Sequence, residues 1–216
     1  MIVAGVDEAG RGSILGPMVV AGIKIDESKL KQLHLLGVKD SKKLAPKTRE
    51  KLYRKILNIV DDYYVCKVTP KRIDRFVSMK KLNVLEANTM AVIINKLKPQ
   101  EAFVDSCDVS PERFRVAIMS TLKCRARIDS SHHADSSNIA VSAASIIAKV
   151  NRDREIARIR KRIGNIGSGY PSDKKTMRFV YRWVRTHGKA PKFARSSWRP
   201  LKELLNRYSQ MKISDF

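Results

Sequence analysis

Ile2 to Val6 carry no polar side chain, and the run stops on two adjacent carboxylates, Asp7 and Glu8. Such a run predicts a short buried strand. Gly10, Gly12, Gly16 and Pro17 then break the pattern. Met18 to Ile25 predicts a second strand, and so a hairpin. Burying either acid without a partner is costly. Adjacent side chains on an extended strand point to opposite faces, so both acids serve one site only if the chain turns there. The plainer alternative is a solvated strand end.

Further strands are expected at Asp62 to Val68, Glu101 to Asp105 and Arg125 to Ile128. Helical spacing runs through Thr48 to Val60, Asn83 to Leu97 and Pro111 to Leu122. The longest helix is predicted from Asp135, with Ile139, Ala143, Ile146, Val150 and Ala157 as its core stripe, ending at Gly164. Two more helices are expected near Asp173 to Thr186 and Pro200 to Gln210. The order predicts an α/β fold with a mixed sheet and a helical end. The expected organisation is a core over residues 1–170 and a basic helical region over residues 171–216 packed on it.

Charge narrows the function. The 44 Lys and Arg against 21 Asp and Glu leave +23 over 216 residues. From Lys149 to Phe216 there are 19 basic and 5 acidic residues, a net +14. So large an excess on a chain of globular composition suggests a polyanionic partner, most often nucleic acid. No apolar run approaches the roughly 18 residues of a membrane span, and the N-terminus lacks the basic start of a signal peptide. Cys66, Cys107 and Cys124 are odd in number and widely spaced, which fits a reduced, cytoplasmic protein.

Against that basic background four acids stand out. Asp105 closes an apolar strand as Asp7 does, and functional groups gather at that edge of open α/β sheets. Asp135 opens the longest predicted helix, where a capping role is the plain alternative. Oxygen ligands without thiolates or a histidine set suit Mg²⁺ or Mn²⁺. Two such ions about 4 Å apart can clamp the attacking and leaving oxygens of a phosphodiester displacement. A strongly basic chain with an acidic focus therefore fits a metal nuclease better than a passive binder. Gly10-x-Gly12-x-x-x-Gly16 is not a dinucleotide fingerprint, because Leu15 stands where the third glycine belongs. Its glycines let backbone approach a sugar or phosphate, or simply make a tight turn.

Taken together the segments resemble ribonuclease HII of the archaeal type. They are Asp7-Glu8-Ala9-Gly10-Arg11-Gly12, Lys39-Asp40-Ser41-Lys42-Lys43-Leu44, Val104-Asp105-Ser106 and Ala134-Asp135. They continue through Ala143 to Val150 with Arg152-Asp153, Gly167 to Asp173, and Arg195-Ser196-Ser197-Trp198. The resemblance implies a ribonuclease H-like fold, a five-stranded mixed sheet flanked by helices with a C-terminal helical extension. It implies a metal-dependent endonuclease acting as a monomer. Such an enzyme cleaves the RNA strand of RNA–DNA hybrids and incises 5′ of single ribonucleotides in duplex DNA, leaving a 3′-hydroxyl and a 5′-phosphate. By position, Asp7, Glu8, Asp105 and Asp135 match its catalytic, metal-binding carboxylates. Gly10, Arg11 and Gly12 match its ribonucleotide-contacting loop, Ser41, Lys42 and Lys43 its phosphate contacts, and Tyr170 the tyrosine that recognises the RNA-to-DNA step. The chain departs from the family at Ser13, often proline, and at His133, commonly lysine. A non-catalytic basic nucleic-acid-binding module is the alternative; it explains the charge but not the four acids.

Overall fold

The structure, a computed structural model, describes residues 1–38 and 44–214. Its elements run β1 (Ile2–Ala9), β2 (Met18–Asp26), α1 (Leu30–Leu35), α2 (Pro46–Leu57), β3 (Asp62–Val68), α3 (Pro70–Ser78), α4 (Leu82–Leu97) and β4 (Glu101–Asp105). There follow α5 (Pro111–Met119), β5 (Arg127–Ser131), α6 (Ala134–Ser137), α7 (Ile139–Ile163), α8 (Lys174–His187) and α9 (Arg199–Ser214). The sheet order is β3-β2-β1-β4-β5. The hairpin expected from the sequence forms, with β1 antiparallel to β2 and Ala9 opposite Val19. On its other edge β1 runs parallel to β4, and β4 runs parallel to β5. This is the mixed five-stranded sheet anticipated above.

Local chemistry starts the helices. Thr69 and Ser110 accept from the backbone N–H of Arg72 and Arg113, with Pro70 and Pro111 in the first turn. The Asp173 carboxylate accepts from Lys175 N at 2.8 Å and opens α8. Two helices were not foreseen, α1 and α3. The long helix begins at Ile139, the first residue of its stripe, and not at Asp135 as expected. Asn138 is extended, and its side chain accepts from Ala140 N at 2.9 Å and Val141 N at 3.3 Å. It caps α7, so Asp135 lies instead in the separate one-turn α6, preceded by His133 in the left-handed region at φ 57.

The contacts divide the chain into two compact units. The first holds Met1–Ala9, Val19–Lys67 and Asn83–Asn151, and so the sheet and the first half of α7. Its core includes Ile23, Ile25, Ile56, Ile146 and Ile147, all fully buried. Each such side chain is worth about 1.5–3 kcal/mol on burial. The second unit holds Gly10–Met18, Val68–Leu82 and Arg152–Phe216. Ile14, Leu15, Ile156, Val180, Val184 and Leu201 form its core. Trp183 touches the edge of this packing, its ring centroid 5.7 Å from that of Phe179 and 6.0 Å from that of Phe193.

Candidate active site

Asp7 and Asp105 come together through strand register. Val6 pairs with Val104 across the parallel β1–β4 ladder, and the next residue of each strand is the aspartate. Paired residues on parallel strands project to one face, with the strands about 4.8 Å apart. The chain does not turn between Asp7 and Glu8. β1 continues through Ala9, and Glu8 faces Val20 in the register. The Glu8 N–H donates to Asp7 Oδ1 at 2.7 Å. Asp135 joins this edge through backbone: its neighbour Ala134 donates an N–H to Asp105 Oδ1 at 2.8 Å. The Ser142 hydroxyl in α7 donates to the Asp135 carbonyl.

The electrostatics fit a cation. Asp7 is 4% exposed. Burial raises its pKa well above the ordinary carboxylate value, and the negative charges of Glu8 and Asp105 raise it further, against a hydrogen bond from Ser145. A buried acid beside two like charges must take up a proton or share a cation. With oxygen donors only, that cation is a hard divalent one. Among the described residues, no three His, Cys, Asp or Glu side chains are already drawn together as a cage. Register and backbone bonds gather Asp7, Asp105 and Asp135 at one sheet edge without closing them around a point, while Glu8 follows Asp7 on the unbroken strand and reaches it through its charge.

The second unit carries the expected substrate loop. Gly10 sits at φ +79, and a Cβ there would lie 2.9 Å from Arg152 Nε, so its glycine is a demand of the fold. Gly12 differs, with no atom within 4 Å of an added Cβ and no positive φ. The fold itself does not need a glycine there. The Ser13 hydroxyl donates to the Gly10 carbonyl at 2.9 Å, so this departure from the family's proline ties the turn by hydrogen bonding. The loop and the Tyr170 segment are joined, because Ile14 N and Leu15 N both donate to the Gly169 carbonyl, at 2.8 and 3.1 Å. Ser41, Lys42 and Lys43 lie outside the described residues.

Arg152 and Arg195 stand in segments that carry the family resemblance, but neither was assigned a role from the sequence. Arg152 is buried, its Nη2 donating to the Ser168 carbonyl at 2.7 Å. Its guanidinium lies 4.2 Å from the Tyr170 ring centroid, a cation–π contact on one face. A sugar stacking on Tyr170 must use the opposite face. Arg195 is fully buried and reaches the 10–16 loop. No charge count reveals either, since both look like ordinary members of a basic tail.

Comparison with known proteins agrees with this arrangement. The family model described as Ribonuclease HII matches residues 4–201. A ribonuclease HII of Cenarchaeum symbiosum is 50% identical over 202 residues, covering 93% of this chain and 96% of the relative. The crystal structure of the ribonuclease H2 from Pyrococcus horikoshii OT3 superposes with TM-score 0.91 at 45% identity, covering 97% of this chain and all of that one. The structure of the PCNA:RNase HII complex from Archaeoglobus fulgidus gives TM-score 0.84 at 42% identity, over 92% of this chain and 96% of that one. Similarity of this depth runs through both the acid-bearing sheet and the glycine loop, and the chain therefore belongs to the ribonuclease HII family.

Proposed function

We propose that this endonuclease, which by its family hydrolyses RNA in RNA–DNA hybrids, also incises duplex DNA on the 5′ side of a single embedded ribonucleotide. Water adds to phosphorus and the bond to the 3′-oxygen breaks, giving a 3′-hydroxyl and a 5′-phosphate. The observation that carries this reading is the burial of Asp7 beside the charges of Glu8 and Asp105. Asp7, Asp105 and Asp135 would hold Mg²⁺ or Mn²⁺, with Glu8 assigned to the same set by the family resemblance and by its charge felt at Asp7. Such ions supply a nucleophilic water and charge stabilisation at phosphorus.

The chain's own residues supply position and choice of sugar. Asp7 is oriented by the Glu8 N–H and by Ser145. Asp105 is oriented by the Ala134 N–H. Only the 2′-hydroxyl distinguishes RNA from DNA locally, as donor and acceptor at once. The backbone of the Gly10 to Gly12 loop offers N–H donors to that hydroxyl, and the open space at Gly12 admits a sugar. Tyr170, backed by Arg152, offers one ring face to the adjoining deoxyribose, where a ribose hydroxyl would crowd it. Ser41, Lys42 and Lys43 hold flanking phosphates, a role that rests on the family resemblance alone.

The test is a labelled DNA duplex carrying one ribonucleotide, incubated with Mg²⁺, Mn²⁺ or EDTA beside an all-DNA duplex. Metal-dependent incision 5′ of the ribonucleotide, with the control intact, is expected. Salt-sensitive binding without incision under either metal would refute the reading in favour of a binding module.

A further inference from the structure

We propose that Arg195, with Trp198 and Asp74, is a positioning device that aims the backbone N–H groups of Arg11 and Gly12 at the sugar being selected. The inference rests on the loop's proposed role in ribonucleotide recognition and says what gives the loop its shape. Arg195 Nη2 donates to the Gly10 carbonyl at 2.6 Å, and Nη1 donates to the Arg11 carbonyl at 2.6 Å. Nε and Nη2 both reach the Gly16 carbonyl, at 3.3 and 3.2 Å, so one guanidinium closes the two ends of the loop. The Trp198 indole N–H donates to the Gly12 carbonyl at 3.3 Å. Three consecutive carbonyls are thus drawn toward the same pair of side chains.

The consequence follows from peptide geometry. In a trans peptide the C=O of one residue and the N–H of the next point in opposite directions. With the Gly10 and Arg11 carbonyls held inward, the N–H groups of Arg11 and Gly12 are turned outward. Successive outward N–H groups form a concavity for a negative or lone-pair oxygen. At Gly12 the direction a Cβ would take is open, with no atom within 4 Å of it.

The device is itself held. The Arg195 guanidinium lies 4.8 Å from the Trp198 ring centroid. Ser196 N and Ser197 N donate to the Asp74 carboxylate at 2.9 and 3.1 Å, and the Ser197 hydroxyl donates to it at 2.5 Å. Every residue of the Arg195 to Trp198 segment is thereby engaged either with the loop or with its anchor on α3. Arg195 is also an expensive way to fill a core. Burial, and then the charge of Arg152, pull its pKa down to about 9. An apolar side chain would occupy the space at lower cost. A planar fork of five donors is what three carbonyls on one loop call for, and lysine cannot reproduce it.

The experiment compares full-length wild type, Arg195→Lys, Trp198→Phe and Asp74→Asn in single-turnover cleavage of the single-ribonucleotide duplex. Reaction amplitude reports the folded, active fraction, and the rate constant reports positioning. Affinity for an all-DNA duplex is measured alongside. Arg195→Lys is expected to lower the rate constant about 100-fold, the scale of a 1 Å misplacement, with all-DNA affinity unchanged. Trp198→Phe and Asp74→Asn are expected to lower it by smaller factors. A purely structural role would lower amplitude and leave the rate constant alone, and that result would overturn the proposal. Should Arg195→Lys not fold, wild-type rate constants in both other variants would overturn it as well. Failure of wild type to incise this duplex would instead refute the function reading.

Discussion

Gly5 and Gly12 separate what the fold needs from what the ligand needs. A Cβ on Gly5 would stand 2.1 Å from the Ala140 carbonyl carbon, 2.3 Å from its oxygen and 2.4 Å from Val141 N. All three are backbone atoms at the start of α7, and ordinary contact begins at 3.4 Å. Gly5→Ala must therefore push strand and helix apart by about 1 Å, and overpacking costs typically about 1–3 kcal/mol or more. Replacing glycine returns about 0.4–1 kcal/mol through the unfolded chain. The upper part of the cost range applies here, because backbone cannot rotate out of the way. A net loss of about 2–3 kcal/mol lowers Tm by about 5–10 °C at this chain length. Gly12→Ala meets no atom and no strained φ, so its stability should stay within about 0.5 kcal/mol of wild type. Its cleavage rate should nevertheless fall about 10–100-fold, as for a misplaced reactant. Calorimetry and single-turnover cleavage on both variants test the pair. An unshifted Tm in Gly5→Ala, or wild-type cleavage by Gly12→Ala, would refute the reasoning.

Asp7→Asn should abolish cleavage while raising the Tm of the metal-free protein at pH 8. The native pKa of Asp7 lies above the unfolded one. The native state then holds the proton longer, and metal-free stability falls as pH rises from about 4 through the native value. The gain over wild type should therefore vanish near pH 4, which a Tm series across pH checks. Mg²⁺ or Mn²⁺ at about 100 times its Kd should stabilise wild type by about 2.7 kcal/mol, and EDTA should remove that gain. Asp7→Asn should show little of it. Asp108, lowered to about 2 chiefly by Arg113 and then by Ser110 N, has the opposite sign. Its contribution is present above about pH 4 and lost as pH falls toward 2. Asp108→Asn should cost about 1–2 kcal/mol at pH 7, modest for charged bonds because Arg113 is exposed. Denaturation at pH 7 and pH 2.5 should show that gap closing.

Much of this was legible in the sequence where one rule dominates. The hairpin and the Glu101–Asp105 strand follow from apolar runs bounded by glycine, proline and acids, and both formed as expected. Asp7 and Asp105 could be singled out because a charge ending an apolar run is conspicuous. Their pairing depends on register, which a one-residue slip would reverse and which no local pattern states. The break at Asn138 was hidden because Asp135 is as good a helix-opening residue as Asn138, and only the Asn138 side chain accepting from Ala140 N and Val141 N shows that α7 starts after it. α3 escaped notice because Lys71, Arg72 and Arg75 read as solvated charge, although Asp74 anchors a distant segment. Buried arginine is the least legible feature. Composition counts Arg152 and Arg195 with the basic tail, and only tertiary contact shows that each faces carbonyls and rings.

The bond from Arg195 to the Arg11 carbonyl spans 184 positions of the chain. During synthesis the loop leaves the ribosome near the beginning, and its clamp arrives near the end. At about 5–20 residues per second that interval is about 10–40 s. Through it the nascent chain carries its first two acids, and its glycine loop without the guanidinium that bonds the Gly10 and Arg11 carbonyls. On the proposed role of Arg195, selective cleavage should be withheld until the chain is nearly complete. A polypeptide truncated before residue 195 would keep Asp7, Glu8, Asp105 and Asp135, yet lack the clamp proposed for the loop.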